Sequence, residues 1–374
     1  MKRLAILAVA LASCVSTPGA PVASAPAASP APSRASPTAL PASGLGALTK
    51  LADGTLVVSV PDCATTTQGG GITGCELLDA AADHDSFVGV LRWSDGNFEA
   101  RSIDLATGEM RTLIPKEDLG IKLEDVRGDL AIFLETDDLG GGNVHARLRR
   151  IPWRDPAKAD TLDEIDLVGL GGGDTWNPWP AARTNGKDVV WLHAGGLFAK
   201  HQVLLLDASG QKRTVVETDR AVWFDLDDGG RIPVAVFSAD GATQRFFVYL
   251  AGAVREIGTR DAAASGYVMS FGDVIGWTRG TGAVRPMDGI DLWTDTGRAL
   301  RTERPESGCV IVGHTQKDVV TVCPSGTHLK DVLTNAPIRN GPPSRVVLAF
   351  PRALLWRTAA DLAANPMVWR ITLL

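Results

Sequence analysis

The chain has 374 residues, 45% of them hydrophobic and 21% charged, and a formal net charge of −6. An acidic balance with no basic cluster argues against a nucleic-acid partner. The apolar content is ample for a large core, and one domain suffices if it is built radially.

Lys2 and Arg3 precede an apolar run over residues 4–12, far short of the ~20 residues a spanning helix needs. Residues 1–13 therefore read as a signal peptide. Its end, Leu11-Ala12-Ser13-Cys14, resembles the bacterial lipobox, which implies acylation of Cys14 and attachment to a membrane through an N-terminal lipid. An ordinary secretory signal with an incidental cysteine is the plainer alternative. Without Lys2 and Arg3 the exported chain carries −8.

Residues 14–44 are almost wholly Ala, Pro and Ser, with seven prolines between residues 18 and 41. Such a segment cannot bury enough surface to offset its ordering entropy and is expected to be a disordered, partly polyproline II tether. A single domain over residues 45–374 follows.

Beyond Cys14 the cysteines are Cys63, Cys75, Cys309 and Cys323. An even number in an exported chain favours disulfides over metal, and no C-x-x-C pair is present. Of the three connectivities, the two local ones are expected, because each pair brackets a turn.

The stretches "RGDLAIFLE", "NGKDVVWLH", "FGDVIGWTR" and "TQKDVVTVC" each combine a polar turn, an aspartate (Asp129, Asp188, Asp273, Asp318) and an apolar β-rich run. "SFVGVLRW", "DGGRIPVAVFS" and "RALLWRT" extend the series to seven. A second element recurs as "DLATGEMRTL", "DASGQKRTV", "LAGAVREI" and "TDTGRALRT", whose glycines suit tight hairpins that demand positive φ. Periods near 45 residues with several short strands each predict an all-β fold, a β-propeller of seven four-stranded blades, with six or eight as alternatives. The last unit shows only three strands, so the N-terminal "GTLVVSVP" is expected to pair with it and close the ring.

At "WNPWPAARTNGKDVVWL" and "DLATGEMRTL" the chain resembles the TolB-like and prolyl-oligopeptidase-type propellers, whose repeats combine a W-x-P turn with a D-x-x-T-G hairpin. The usual proline-aspartate-glycine turn is missing. The resemblance implies the architecture and, by analogy with periplasmic relatives, a protein-interaction or ligand-binding role.

Signs of chemistry are sparse. No Gly-x-Ser-x-Gly elbow is present. His193 and His201 flank a Gly-rich hairpin across which they could meet, although a polar hairpin face is the simpler reading. "ETDDLGGGN" and "DLDDGGR" are acidic and Gly-rich but lack the D-x-D-x-D-G order of a calcium loop, so ordinary turns are expected. "SADGAT" half matches the sialidase Asp-box without its tryptophan. Trp93, Trp191, Trp277 and Trp356 fall in second strands and are expected to pack blade against blade. Trp176 and Trp179, with Asn177 and Asp174 as polar companions, are the candidate ligand platform, against a plain packing role.

The expectation is a monomeric, lipid-anchored extracytoplasmic propeller, periplasmic or cell-surface, that binds an envelope protein, peptide or glycan without cofactor, metal or catalysis. A carbohydrate hydrolase or lyase with carboxylates around the central funnel is the alternative.

Overall fold

The computed structural model describes residues 38–39, 47–60, 74–140, 143–167, 182–194, 200–220, 222–238, 242–261, 267–279, 289–334, 336–344, 346–362 and 367–374. All belong to one compact unit, Ser36–Leu374. Among them no helix is long and apolar enough to cross a membrane.

Blades 1 to 6 are each an antiparallel meander of four strands. Blade 1 runs through Cys75–Ala82, Ser86–Trp93, Phe98–Asp104 and Met110–Glu117. Blade 2 is Gly120–Arg127, Leu130–Gly140, Asn143–Pro152 and Asp160–Leu167, and blade 3 is Ala182–Thr184, Val189–Ala194, His201–Leu206 and Lys212–Thr218. Blade 4 comprises Val222–Phe224, Ile232–Phe237, Thr243–Leu250 and Ala253–Asp261; blade 5, Val268–Phe271, Val274–Arg279, Gly289–Thr294 and Ala299–Glu303. Blade 6 uses Val310–His314, Asp318–Cys323, Gly326–Asp331 and the short Arg339–Asn340.

Blade 7 holds the closure. Its chain-terminal strands Val346–Phe350, Ala353–Arg357 and Met367–Leu373 are completed by Leu56–Val60. The register sets Leu56 opposite Ile371 and Val58 opposite Trp369. Two further strands, Ala47–Lys50 and Thr38–Ala39, continue this sheet outward, which the sequence did not suggest. Leu48, Leu56 and Val58 pack with Leu355 and Ile371 of blade 7 and Phe87 and Ile103 of blade 1, so the closing strand also joins the first blade to the last.

The seven apolar runs singled out in the sequence are the seven second strands. They form the walls between blades. Trp277 of blade 5 stacks on Phe246 of blade 4 with centroids 4.0 Å apart. Trp191 packs with Ile132 and Leu148 of blade 2, and Trp356 with Val320 and Leu329 of blade 6. Trp93 is only half-buried; its indole N–H donates to Glu99 and its ring carries Lys116.

Because blades 1 to 6 are meanders, their first and third turns leave the same edge, the turn face. The two turns are clasped. Leu105 N–H donates to Asp85 O in blade 1, Trp153 to Asp129 in blade 2, Asp295 to Asp273 in blade 5 and Val332 to Lys317 in blade 6. In blade 3 the Asp188 carboxylate serves, accepting from Ala208 N at 2.9 Å. Of these five clasps only that of blade 3 uses the side chain of the repeated polar residue; the others use its backbone carbonyl. The third-turn glycines Gly108, Gly210, Gly252 and Gly297 have φ of 75–92°, as the hairpin reading requires.

Candidate functional site

Neighbouring blades are latched near the axis by carboxylates on or just after the innermost strands. Asp79 Oδ2 accepts Leu123 N of blade 2, Asp125 Oδ2 accepts Thr184 N of blade 3, and Asp225 Oδ2 accepts Ser270 N of blade 5. Asp83 Oδ2 accepts Gly128 N at 2.7 Å. Each bond satisfies a backbone donor that the neighbouring blade cannot.

One first turn departs from the pattern. Residues 225–231 of blade 4 make a seven-residue turn, whereas the others have two to four. Within it, Asp227 Oδ1 accepts Gly229 N and Arg231 N, and its Oδ2 takes Arg231 Nη1 at 2.9 Å. That anchors the base of the turn. Asp228, beyond it, reaches side chains of three other blades: Arg127 of blade 2, Gln316 of blade 6 and Arg352 of blade 7, the last at 2.8 Å. A turn bonded to blades 2, 6 and 7 spans the channel mouth.

Beside this bridge lies a cavity of about 390 Å³, lined by Arg127, Asp228, Phe271, His314, Lys317 and Leu333 among others. His314 Nε2 lies 3.4 Å from Asp225 Oδ2. Burial pushes the Asp225 carboxyl up, but His314, Arg183 and the Ser270 N–H outweigh it and hold it below the usual carboxylate range.

Asp79 and Glu124 line a second cavity, of about 250 Å³, together with Val312, Leu348 and Phe350 of blades 6 and 7. Burial pushes Asp79 up to about 6 against the pull of the Leu123 N–H and Lys122. It also raises Glu124, against Lys122, whose Nζ is 2.8 Å away. The nearby Asp125 is raised as well, burial outweighing Arg127 and Arg183.

The candidate platform Trp176, Trp179, Asn177 and Asp174 lies outside the described residues, as do Cys14 and Cys63. Cys309 and Cys323 are bridged as expected, across the first two strands of blade 6, with Cα atoms 4.2 Å apart. Cys75 is also disulfide-bonded. Donor atoms of Glu306, Cys309, Cys323 and His328 lie within 4.8 Å of one another, but with both sulfurs in the bridge only one imidazole and one carboxylate remain to bind an ion.

His193 and His201 do not meet. His193 opposes Gln202 and His201 opposes Ala194, so the strand alternation sends the two imidazoles to opposite faces. His193 Nδ1 pairs with Asp163 at 2.7 Å, while His201 is buried and its burial depresses its pKa. Of the two acidic Gly-rich stretches, "DLDDGGR" became the channel bridge. Glu135 of the other is buried against Arg149 at 2.8 Å.

No protein-family model matches the chain, and no curated protein matches it either. Solved structures do. The propeller domain of the Trilobed protease from Pyrococcus furiosus, described as having an open velcro topology, aligns over 79% of this chain and 93% of its own, with TM-score 0.52 and 10% identity. A prolyl endopeptidase aligns over 83% of this chain with TM-score 0.52 and 14% identity. The chain spans about half the length of that peptidase. At such identities the likeness is one of fold: this is a β-propeller, similar in architecture to the propellers of those proteases. BamB from Moraxella catarrhalis is a weaker match, with TM-score 0.42 and 12% identity over 90% of this chain.

Arg127, Gln316 and Arg352 were not singled out in the sequence. They come one to a blade and meet only around the axis. The one signal was the length of the "DLDDGGR" turn.

Proposed function

We propose that this chain is a lipid-anchored extracytoplasmic β-propeller that binds a peptide or protein partner at the turn-face mouth of its channel, as a monomer and without catalysis. The observation that carries the reading is the bridged mouth. A cavity of about 390 Å³ is within the ordinary range for ligand sites, and it combines charged groups with the exposed apolar side chain of Leu333. The disulfides suit an oxidising compartment, and the signal-like start with Cys14 supplies the anchor.

Binding is favoured over glycoside hydrolysis because the channel carboxylates are already engaged. Asp79 holds Leu123 N and Ala80 N, Asp125 holds Thr184 N and Val126 N, and Glu124 sits against Lys122. A hydrolase needs two carboxyls free to face a sugar. Trp176 and Trp179, with Asn177 and Asp174, are carried as a second contact surface, where a glycan or peptide could stack.

The test is site-specific photocrosslinking in the native envelope with the full chain. A crosslinker at Leu333, on the mouth, is expected to capture a discrete partner. One at Val254, exposed on the outer strand of blade 4, is expected to capture none. Capture from Val254 and not from Leu333 would overturn the reading.

A further inference from the structure

Asp228 is held as a bound anion would be. Its carboxylate, 34% exposed, accepts from Arg127, Gln316 and Arg352, donors contributed by three blades whose sheets are separate from its own. Arg127 is 4% exposed, and its Nε makes no hydrogen bond among the described residues although the side chain lines the cavity. The groups of Arg127 and Arg352 that meet Asp228 are therefore the donors available to a carboxylate at this point.

The turn is suited to exchange. Asp227 fixes its base, whereas Asp228 lies at its tip, followed by Gly229 and by Gly230 at φ 77°. Movement of the tip would expose Arg127 and Arg352 together at the mouth, with Asp83 4.0 Å from Arg352 as the nearest remaining acid on that arginine. Two guanidiniums and a carboxamide converging on one point match a carboxylate, which takes paired N–H donors.

We propose that the channel mouth is a carboxylate-binding site whose resident occupant is the chain's own Asp228, and that the C-terminal carboxylate of a partner peptide displaces it. This rests on the peptide-binding reading above and names the group recognised. A peptide is favoured over an acidic sugar because Leu333 and Pro351 offer apolar walls for a side chain, whereas Phe271 in the lining is fully buried and presents no ring face for stacking.

A tethered competitor lowers apparent affinity by its effective concentration, so removing it should be visible. The full chain in detergent is titrated with N-acetyl-Gly-Ala-Leu as free acid and as C-terminal amide, and with galacturonate, by calorimetry. Asp228→Ala is expected to bind the free acid about ten-fold or more tightly than the wild type. The amide should gain nothing, and Arg352→Gln in the Asp228→Ala background should abolish the gain. Asp228→Asn, which preserves shape, serves where the alanine variant unfolds and is expected to show the same sign. Equal binding of acid and amide by both Asp228 variants would overturn the site. A gain for galacturonate and none for the peptide would overturn the peptide assignment alone. Crosslinking from Leu333 that persists while acid and amide bind alike would sink this inference and leave the binding function standing.

Discussion

Leu56 lies directly opposite Ile371, and both are buried in the seam between the last blade and the first. The ring is thus closed by hydrogen bonds and apolar packing between the two ends of the domain. Because the closing strand also touches blade 1, removing one of its core side chains loosens two blades. Leu56→Ala is expected to cost about 2–5 kcal/mol, read as a lower denaturation midpoint. An unchanged midpoint would mean that the ring stays shut without this contact.

Cys309 and Cys323 join the ends of the hairpin whose turn carries Gln316 to the channel mouth. Bridging residues 14 apart contributes about 3 kcal/mol in the chain-entropy account. The double variant Cys309→Ser/Cys323→Ser is expected to lose that amount. Added reductant should still lower the variant's midpoint, because the Cys75 bridge remains to be broken. A double variant as stable as the wild type in non-reducing denaturation would contradict this.

The fold was legible because its signal is repeated. Seven second strands share one pattern of turn, polar residue and apolar run, and the glycine hairpins mark the outer pair of strands in blades 1, 3, 4 and 5. Blade 6 ends on the two-residue Arg339–Asn340, too short to carry any alternation. The strands before Leu56 were equally silent, since Thr38–Ala39 sits within an Ala/Pro/Ser segment. The mouth was not legible at all by repetition. Asp228 is 101 residues from Arg127, 88 from Gln316 and 124 from Arg352, and what joins them is ring closure, a property of no single repeat.

The lipobox reading makes a sharp biochemical prediction. Cells fed labelled palmitate should incorporate label into the wild-type chain, and Cys14→Ser should remove it and release the protein from membranes. Membrane retention of Cys14→Ser without label would point to a different anchor.

A double variant at Trp176 and Trp179 tests whether the proposed second surface is used independently of the mouth. If only the mouth binds, Trp176→Ala/Trp179→Ala should leave crosslinking from Leu333 and affinity for the tripeptide acid unchanged. If the pair forms a stacking platform, affinity for a ring-bearing ligand should fall by about 1–3 kcal/mol, the scale for losing an aromatic stack. Loss of tripeptide-acid binding in this variant would show that the two surfaces are not independent.

Asp79 sets a pH dependence whose sign follows from its surroundings. Its carboxyl is raised from 3.8 to about 6, chiefly by burial. Between those values the folded chain keeps a proton that the unfolded chain has lost, so this group's contribution to stability falls as pH rises. Below 3.8 both states are protonated; above about 6 both are ionised and the penalty is complete. Solvent screening of the partly exposed side chain brings the expected penalty to about 2 kcal/mol. Asp79→Asn cannot ionise and, like the protonated carboxyl of the folded wild type, it offers one carbonyl oxygen to the N–H groups of Ala80 and Leu123. The variant should therefore match the wild type closely at pH 4 and be the more stable of the two by pH 7. Parallel urea midpoints for the two proteins across that range would show that Asp79 does not titrate there.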